Sequence, residues 1–133
     1  MRNIQYQINT PLSADEVIRV FNASGIARPT HDTARIETMF ANANLIISAR
    51  HEGTLVGIAR GLTDHSYCCY LSDLAVDKAY QQQGIGDALL TQVRQALGPE
   101  VSLILLSAPS AMSYYPKVGF AAADNAFIIK RER

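Results

Sequence analysis

Cysteine is scarce in this chain. The only two, Cys68 and Cys69, are sequence neighbours. On a strand their side chains would point to opposite faces, which disfavours a bridge between them. Both read as small hydrophobes, and no histidine is placed by sequence to activate a thiol. Net charge is missing too, because 12 basic residues balance 12 acidic ones. That argues against a nucleic-acid or membrane surface, since phosphate-rich partners are held by clustered Lys and Arg. The basic tail Lys130-Arg131-Glu132-Arg133 is short and reads as solvated. No apolar run approaches the roughly 20 residues of a membrane span, and residues 1–5 carry no apolar signal core, so a cytoplasmic location is expected. His31, His51 and His65 fall at a helix start and in two turns without metal-ligand spacing. They are expected to be solvated, and no metal is assigned. A serine hydrolase is unsupported, for there is no Gly-x-Ser-x-Gly elbow.

What is present is the composition of one globular domain, residues 1–133, with 48% hydrophobic and 18% charged residues. Ile4, Tyr6 and Ile8 alternate with polar residues, as in a half-buried strand. Ser13-Ala14-Asp15-Glu16 has the form of a capping box, with Val17, Val20 and Phe21 as the apolar stripe and Gly25 as the stop. A second helix over 32–41 carries Ile36, Met39 and Phe40 on one face. Strands at 45–50, 54–61 and 68–76 are joined by turns at His51-Glu52-Gly53 and Thr63-Asp64-His65-Ser66, giving an antiparallel meander. A helix over 86–97 ends at Gly98-Pro99. The apolar run 101–106 suits a strand buried on both faces and lying parallel to residues 71–76. Pro109 can open a short helix containing Ala111, Met112 and Tyr115, and 120–123 with 126–130 would form a closing hairpin. On strand alternation Asp73 shares a face with Leu71 and Ala75.

The stretch 71–90 concentrates the chemistry. An apolar strand leads through a polar link, 77–83, into Gly84-Ile85-Gly86 and an amphipathic helix in which Ile85, Ala88, Leu89, Val93, Ala96 and Leu97 recur at helical spacing. Strand, glycine turn and helix together make an anion site. Glycine admits close backbone approach, and the first helical N–H groups point outward with the dipole behind them. Alone, a Gly-x-Gly before a helix is also what a plain packing turn looks like.

Two motifs in order add specificity. Leu74-Ala75-Val76 followed by Gln81-Gln82-Gln83-Gly84-Ile85-Gly86 resembles the acyl-coenzyme A motif of the GNAT superfamily of N-acetyltransferases. Tyr114-Tyr115-Pro116-Lys117-Val118-Gly119-Phe120 is similar to that family's closing signature. The resemblance spans about residues 46–120. It implies an α/β fold with a mixed, mostly antiparallel central sheet and helices on both faces. It also implies acetyl transfer from acetyl-coenzyme A, as co-substrate, to a primary amine by direct attack in a ternary complex. The alternative is a non-catalytic module that binds acyl-coenzyme A. Carried over by position, Leu74, Ala75, Val76, Gln81, Gln82, Gln83, Gly84, Ile85, Gly86 and Asp87 would bind the co-substrate. An N–H of Leu74 or Ala75 would polarise the acyl carbonyl, and Tyr115 would protonate the departing thiolate.

The sequence departs from the family pattern in two places. Glutamines stand where Arg or Lys is common in the loop, with Lys78 the nearby charge. Ala108 stands where many members have asparagine, so that contact is either missing or moved to Ser107 or Ser110. Asp73 is the candidate base, against an equal reading as a carboxylate that caps backbone or pairs with an arginine. The acceptor would be a small-molecule amine or a protein or peptide amine, no nucleic-acid or membrane partner is expected, and a homodimer stays open.

Overall fold

The computed structural model describes residues 2–133. Five strands form one sheet in sequence order: β1 (Ile4–Ile8), β2 (Leu45–His51), β3 (Thr54–Thr63), β4 (Cys68–Val76) and β5 (Ser102–Ile104). The first four pair antiparallel and β5 joins β4 in parallel. The β2–β3 turn is made by Glu52 and Gly53, both at positive φ (50° and 83°), the geometry that matches strand twist in a two-residue hairpin.

Helix α1 (Ala14–Ser24) begins with the expected capping box. The Ser13 hydroxyl accepts from the Glu16 N–H at 3.2 Å, and the Ser13 N–H donates to the Glu16 carboxylate at 2.8 Å. Gly25, at φ 84°, closes the helix. Glu16 also receives Arg50 at 2.9 Å, which ties α1 to β2 and holds the carboxyl below its ordinary pKa. Helix α2 (Thr33–Ala41) is capped by Asp32. Val17, Val20, Phe21 and Ile36 of these helices pack with Leu55, Ile58 and Ala75 on one face of the sheet. Helix α3 (Ile85–Leu97) covers the other face, with Ile85, Leu89, Leu90 and Val93 against Leu45, Ile47, Val56, Ala59 and Leu71. Helices on both faces of a mixed, mostly antiparallel sheet are the expected architecture.

One irregularity positions everything that follows. Arg60 lies opposite Asp73 and the adjacent Gly61 lies opposite Leu71, so Ser72 is an extra residue on β4. Such a β-bulge bends the strand and increases its twist. It also breaks simple alternation by number: Leu71 joins the core under α3, whereas Ala75 joins the core under α1 and α2. Asp73 goes with Ala75, so the expectation that it shares a face with Leu71 is corrected by the bulge. Pairing between β4 and β5 stops at Tyr70 and Ile104, just before Ser72. The two strands then separate.

That separation corrects the reading of 101–106. Only three of its residues pair, they pair with Cys68–Tyr70, and Ile104 and Leu106 are about half exposed. This is a sheet edge rather than a strand covered on both faces. Residues 109–118 form two short 3-10 turns, Pro109–Ala111 and Tyr115–Val118, instead of one helix, because Pro116 interrupts the pattern. Among the described residues no strand follows Ile104, so the closing hairpin does not form. Its alanine-rich first half has little to bury, and Phe127 and Ile129 lie in solvent. His51, expected to be solvated, is partly buried, with Nδ1 2.8 Å from the Tyr80 hydroxyl. In α3, Leu90 rather than Ala96 joins the buried stripe.

The seat of α3 on the sheet depends on Gly57. A Cβ there would come within 3.2–3.3 Å of Leu89, Ala49 and Ile85. Gly57→Ala should therefore overpack this contact and cost about 1–3 kcal/mol in denaturant unfolding. An unchanged midpoint would show that α3 is not held this closely.

Candidate functional site

Main-chain direction in β4 decides what the gap offers. The Asp77 N–H bonds the Val56 carbonyl at 2.9 Å, so by alternation Ala75 and Asp73 also direct their main-chain groups at β3. Those of Ser72, Leu74 and Val76 face the gap instead. The Ser72 carbonyl is taken by Arg28 Nη2 at 2.7 Å and the Val76 carbonyl by Gln81 Nε2 at 2.8 Å. Leu74 keeps its N–H and its carbonyl, and Val76 its N–H, free among the described residues. Of the two N–H groups considered for polarising a carbonyl, the one at Leu74 is open, and the one at Ala75 is spent on the ladder to Ile58.

The gap widens into a cleft of about 770 Å³ lined by Leu74, Ala75, Val76 and Gln81 from the β4 side and by residues 105–111 with Tyr115 from the other. The loop after α1, residues 24–29, makes a third wall. A larger cavity of about 840 Å³ sits between the start of α1, α2 and Ile46, away from the gap and its polar groups.

Gln81, which lines the cleft, leads three residues on into the turn that starts α3. Gly84 is the N-terminal flanking residue of the helix at φ 84°, and a Cβ there would meet nothing within 4 Å. The first intrahelical bond runs from the Ala88 N–H to the Gly84 carbonyl, which leaves the N–H groups of Ile85, Gly86 and Asp87 without helical partners. Open space beside a glycine and three free donors at a helix start suit a phosphate group. The residues present fit the diphosphate of coenzyme A on that count. The side chains play other parts. Gln81 braces the Val76 carbonyl, Gln83 reaches the Ala79 carbonyl at 3.4 Å, and Gln82 sits at φ 63° with its side chain free. Gly86 makes room for a neighbour, since a Cβ there would lie 3.2 Å from the Tyr114 hydroxyl. That hydroxyl donates to Asp87 at 2.6 Å; burial and the Asp87 charge raise its pKa well above the ordinary phenol. Asp87 thus anchors a tyrosine.

Tyr115 differs from its neighbour. Its ring is held edge-on between Tyr114 and Phe120, at centroid distances of 5.1 and 5.4 Å. Nothing among the described residues hydrogen-bonds its hydroxyl, which is available to the cleft. Burial raises its pKa and the Arg28 cation pulls it partly back. The phenol is therefore protonated at neutral pH and beyond. Ser107 and Ser110 both line the cleft beside Ala108, and the Ser107 hydroxyl donates to the Ala108 carbonyl at 2.8 Å.

Asp73 lies beneath the cleft at 1% exposure. One carboxylate oxygen accepts from Arg28 Nε at 2.6 Å and the other from Arg60 Nε at 2.5 Å. Of the two roles the sequence left open, these contacts favour arginine pairing, for both oxygens are engaged. Sequence reasoning missed Arg28 and Arg60. They stand 45 and 13 residues from Asp73, and the only signal was an acid on an apolar strand asking for a partner.

A family profile described as the acetyltransferase (GNAT) domain matches residues 11–130. The Arabidopsis thaliana protein named GCN5-related N-acetyltransferase 1, chloroplastic, is 28% identical over 115 residues, covering 84% of this chain. The chain spans 57% of that relative's length. In fold, a protein of unknown function and probable acetyltransferase from meticillin-resistant Staphylococcus aureus superposes with TM-score 0.82 at 19% identity, over 97% of this chain and 100% of that one. An aminoglycoside N-acetyltransferase in complex with coenzyme A gives 0.74 at 13% identity, over 100% and 97%.

Two outcomes follow from the site. Gly84→Val forces a branched residue into the left-handed region and fills the space beside the free N–H groups. Coenzyme A affinity measured by calorimetry should fall by about tenfold or more, a loss of about 1.4 kcal/mol per tenfold, with the circular dichroism spectrum retained. Equal affinity would remove the turn from the binding site. Asp73→Asn leaves two guanidinium groups without their buried counter-charge and should cost about 3–5 kcal/mol in denaturant unfolding. A loss below about 1 kcal/mol would show that the arginines do not depend on it.

Proposed function

The chain belongs to the GNAT acetyltransferase family, and from that membership we propose that it transfers an acetyl group from acetyl-coenzyme A to a primary amine by direct attack in a ternary complex. The observation that carries the proposal is the shared cleft: a free Leu74 N–H and an uncommitted Tyr115 hydroxyl border the same gap, and Gln81 on its wall leads into the Gly84 turn with its three open N–H groups.

The co-substrate supplies an activated thioester. The turn from Gly84 to Asp87 holds its diphosphate through main-chain donors and the helix dipole, so the absence of Arg or Lys from the loop is tolerated. The open main-chain groups of Leu74 and Val76 take the amides of the pantetheine arm as an added strand would. The Leu74 N–H faces the carbonyl oxygen as negative charge grows on it, a fixed donor that needs no reorganisation. As the amine nitrogen bonds to the carbonyl carbon and the carbon–sulfur bond breaks, Tyr115 gives its proton to the sulfur. Asp73 takes no proton in this scheme, since its two oxygens stay with the arginines. The ammonium proton leaves to solvent. Holding amine and thioester together accounts for much of the rate.

Tyr115→Phe removes the donor and keeps the ring. Turnover should fall by about 10²-fold, the low end for a general acid because water can substitute. Coenzyme A affinity should stay unchanged. Because the Tyr115 pKa is raised, loss of its proton sets in above the ordinary phenol value near 10, so the alkaline limb of wild-type turnover should lie there and vanish in the variant. An undiminished rate under chemistry-limited conditions would assign Tyr115 to packing. A chain that binds coenzyme A yet never consumes the acetyl form would be the sensing module instead.

A further inference from the structure

The walls of the cleft are unequal in charge. Arg28, Arg35, Arg60 and Arg131 line it, and no aspartate or glutamate does. Asp73 lies beneath, a single carboxylate shared by Arg28 and Arg60. The overall neutrality of the sequence hides this local surplus of cations.

The four arginines are not equally committed. Arg28 is spent inward: Nε on Asp73, Nη1 on the Ala27 carbonyl at 2.6 Å, Nη2 on the Ser72 carbonyl. Arg60, 6% exposed, gives Nε to Asp73 and Nη2 to the Ser72 hydroxyl at 2.9 Å. Its Nη1 has no partner among the described residues, and no buried side-chain nitrogen or oxygen is left unsatisfied there. That donor therefore opens to the cleft. Arg35 commits only Nη2, to the main-chain oxygen of Arg133 at 3.3 Å, and Arg131 commits nothing among the described residues. Asp73 fixes the inner pair, and the outer pair is free to close on an anion.

Position separates this surplus from the diphosphate. Asp73 and Ser72, which hold the inner arginines, precede Leu74 on β4, whereas Gly84 lies beyond the strand's other end at Val76. Arg28 and Arg60 therefore sit on the far side of the open Leu74 N–H from the Gly84 turn, Arg35 and Arg131 line the same cleft, and Arg28 acts on Tyr115. A bare ammonium is repelled there, and a polycation more so. A planar guanidinium fork binds a carboxylate strongly and in a set orientation.

We propose that the acceptor is an amine that also carries a carboxylate, an amino-acid-like molecule whose anionic end is gripped by Arg60, Arg35 and Arg131 while its nitrogen faces Leu74 and Tyr115. The inference rests on the acyl-transfer reading above. The same field stabilises the neutral amine over its ammonium form, which suits a site whose one carboxylate is already engaged.

The test is a matched panel with acetyl-coenzyme A: L-alanine, L-aspartate and L-glutamate, each beside its α-amide, with spermidine and kanamycin as polycations. Rates are corrected for the fraction of free amine. The free carboxylates should exceed their amides by about tenfold or more in kcat/KM, the scale of a charge-assisted hydrogen bond. The double variant Arg35→Gln, Arg131→Gln changes exposed residues and spares the buried pair. It should raise KM for the amino acids, leave the KM of acetyl-coenzyme A unchanged and narrow the gap to the amides. Titrating the same pairs into the coenzyme A-loaded protein repeats the comparison without turnover. Amides or polycations preferred, or a KM for acetyl-coenzyme A that rises in the double variant, would overturn the inference and leave acyl transfer standing. Absence of both coenzyme A binding and transfer to any amine would overturn the acyl-transfer reading and this inference with it.

Discussion

The contact on which the cleft depends is the double engagement of Asp73. A buried carboxylate is costly unless it is paired and hydrogen-bonded, and the same holds for a buried guanidinium. Here one acid meets two bases, and each needs the others in place. The result is mechanical as well as electrostatic. Arg28 comes from the loop after α1, Arg60 from β3 and Asp73 from β4, so the ion triplet ties the loop that walls the cleft to the strands that floor it. Arg28 reaches further, to the Ser72 carbonyl, and so fixes the loop at the residue where β4 changes direction. Apolar packing alone would leave that loop free to slide, because dispersion contacts carry little directional information.

Much of the scaffold was legible in the sequence because its signals are local. The capping box at Ser13, the Glu52-Gly53 turn, the Gly84 entry to α3 and the Gly98-Pro99 stop are each determined within a few residues, and each formed as read. The apolar run 101–106 was misjudged for a physical reason. Hydrophobicity reports that a segment tends to be covered, not how many residues of it find a ladder partner. The bulge at Ser72 was invisible for a related reason, since it is a property of the register between two strands. The arginines of the cleft were lost in a balanced composition because four separate segments bring them together.

The site divides into parts that sequence could name and parts it could not. The glycine turn and the tyrosine–glycine–phenylalanine segment are short enough to be recognised; Gln81 on the cleft wall leads into the first, and the second brings Tyr115 to the cleft. What distinguishes Tyr115 from Tyr114 is tertiary. One hydroxyl is tied to Asp87 and the other has no partner among the described residues. Likewise, both Leu74 and Ala75 read as apolar strand residues, and only the direction of the ladder shows which of them has an N–H to spare.

The extra residue in β4 has a consequence for how such a sequence can drift. Leu71 and Asp73 face opposite sides of the sheet, as adjacent strand residues do, so the bulge absorbs Ser72 and leaves the facing of both flanks unchanged. Substitutions there change one hydroxyl and its bond to Arg60. Loss of the codon would keep Asp73 opposite Arg60 and Leu71 opposite Gly61, and would remove instead the local bend and the carbonyl that Arg28 holds. A change of length here therefore leaves the ion triplet on its face and loosens its hold on the loop after α1, so the extra residue sets the curvature of the cleft floor rather than the orientation of its side chains.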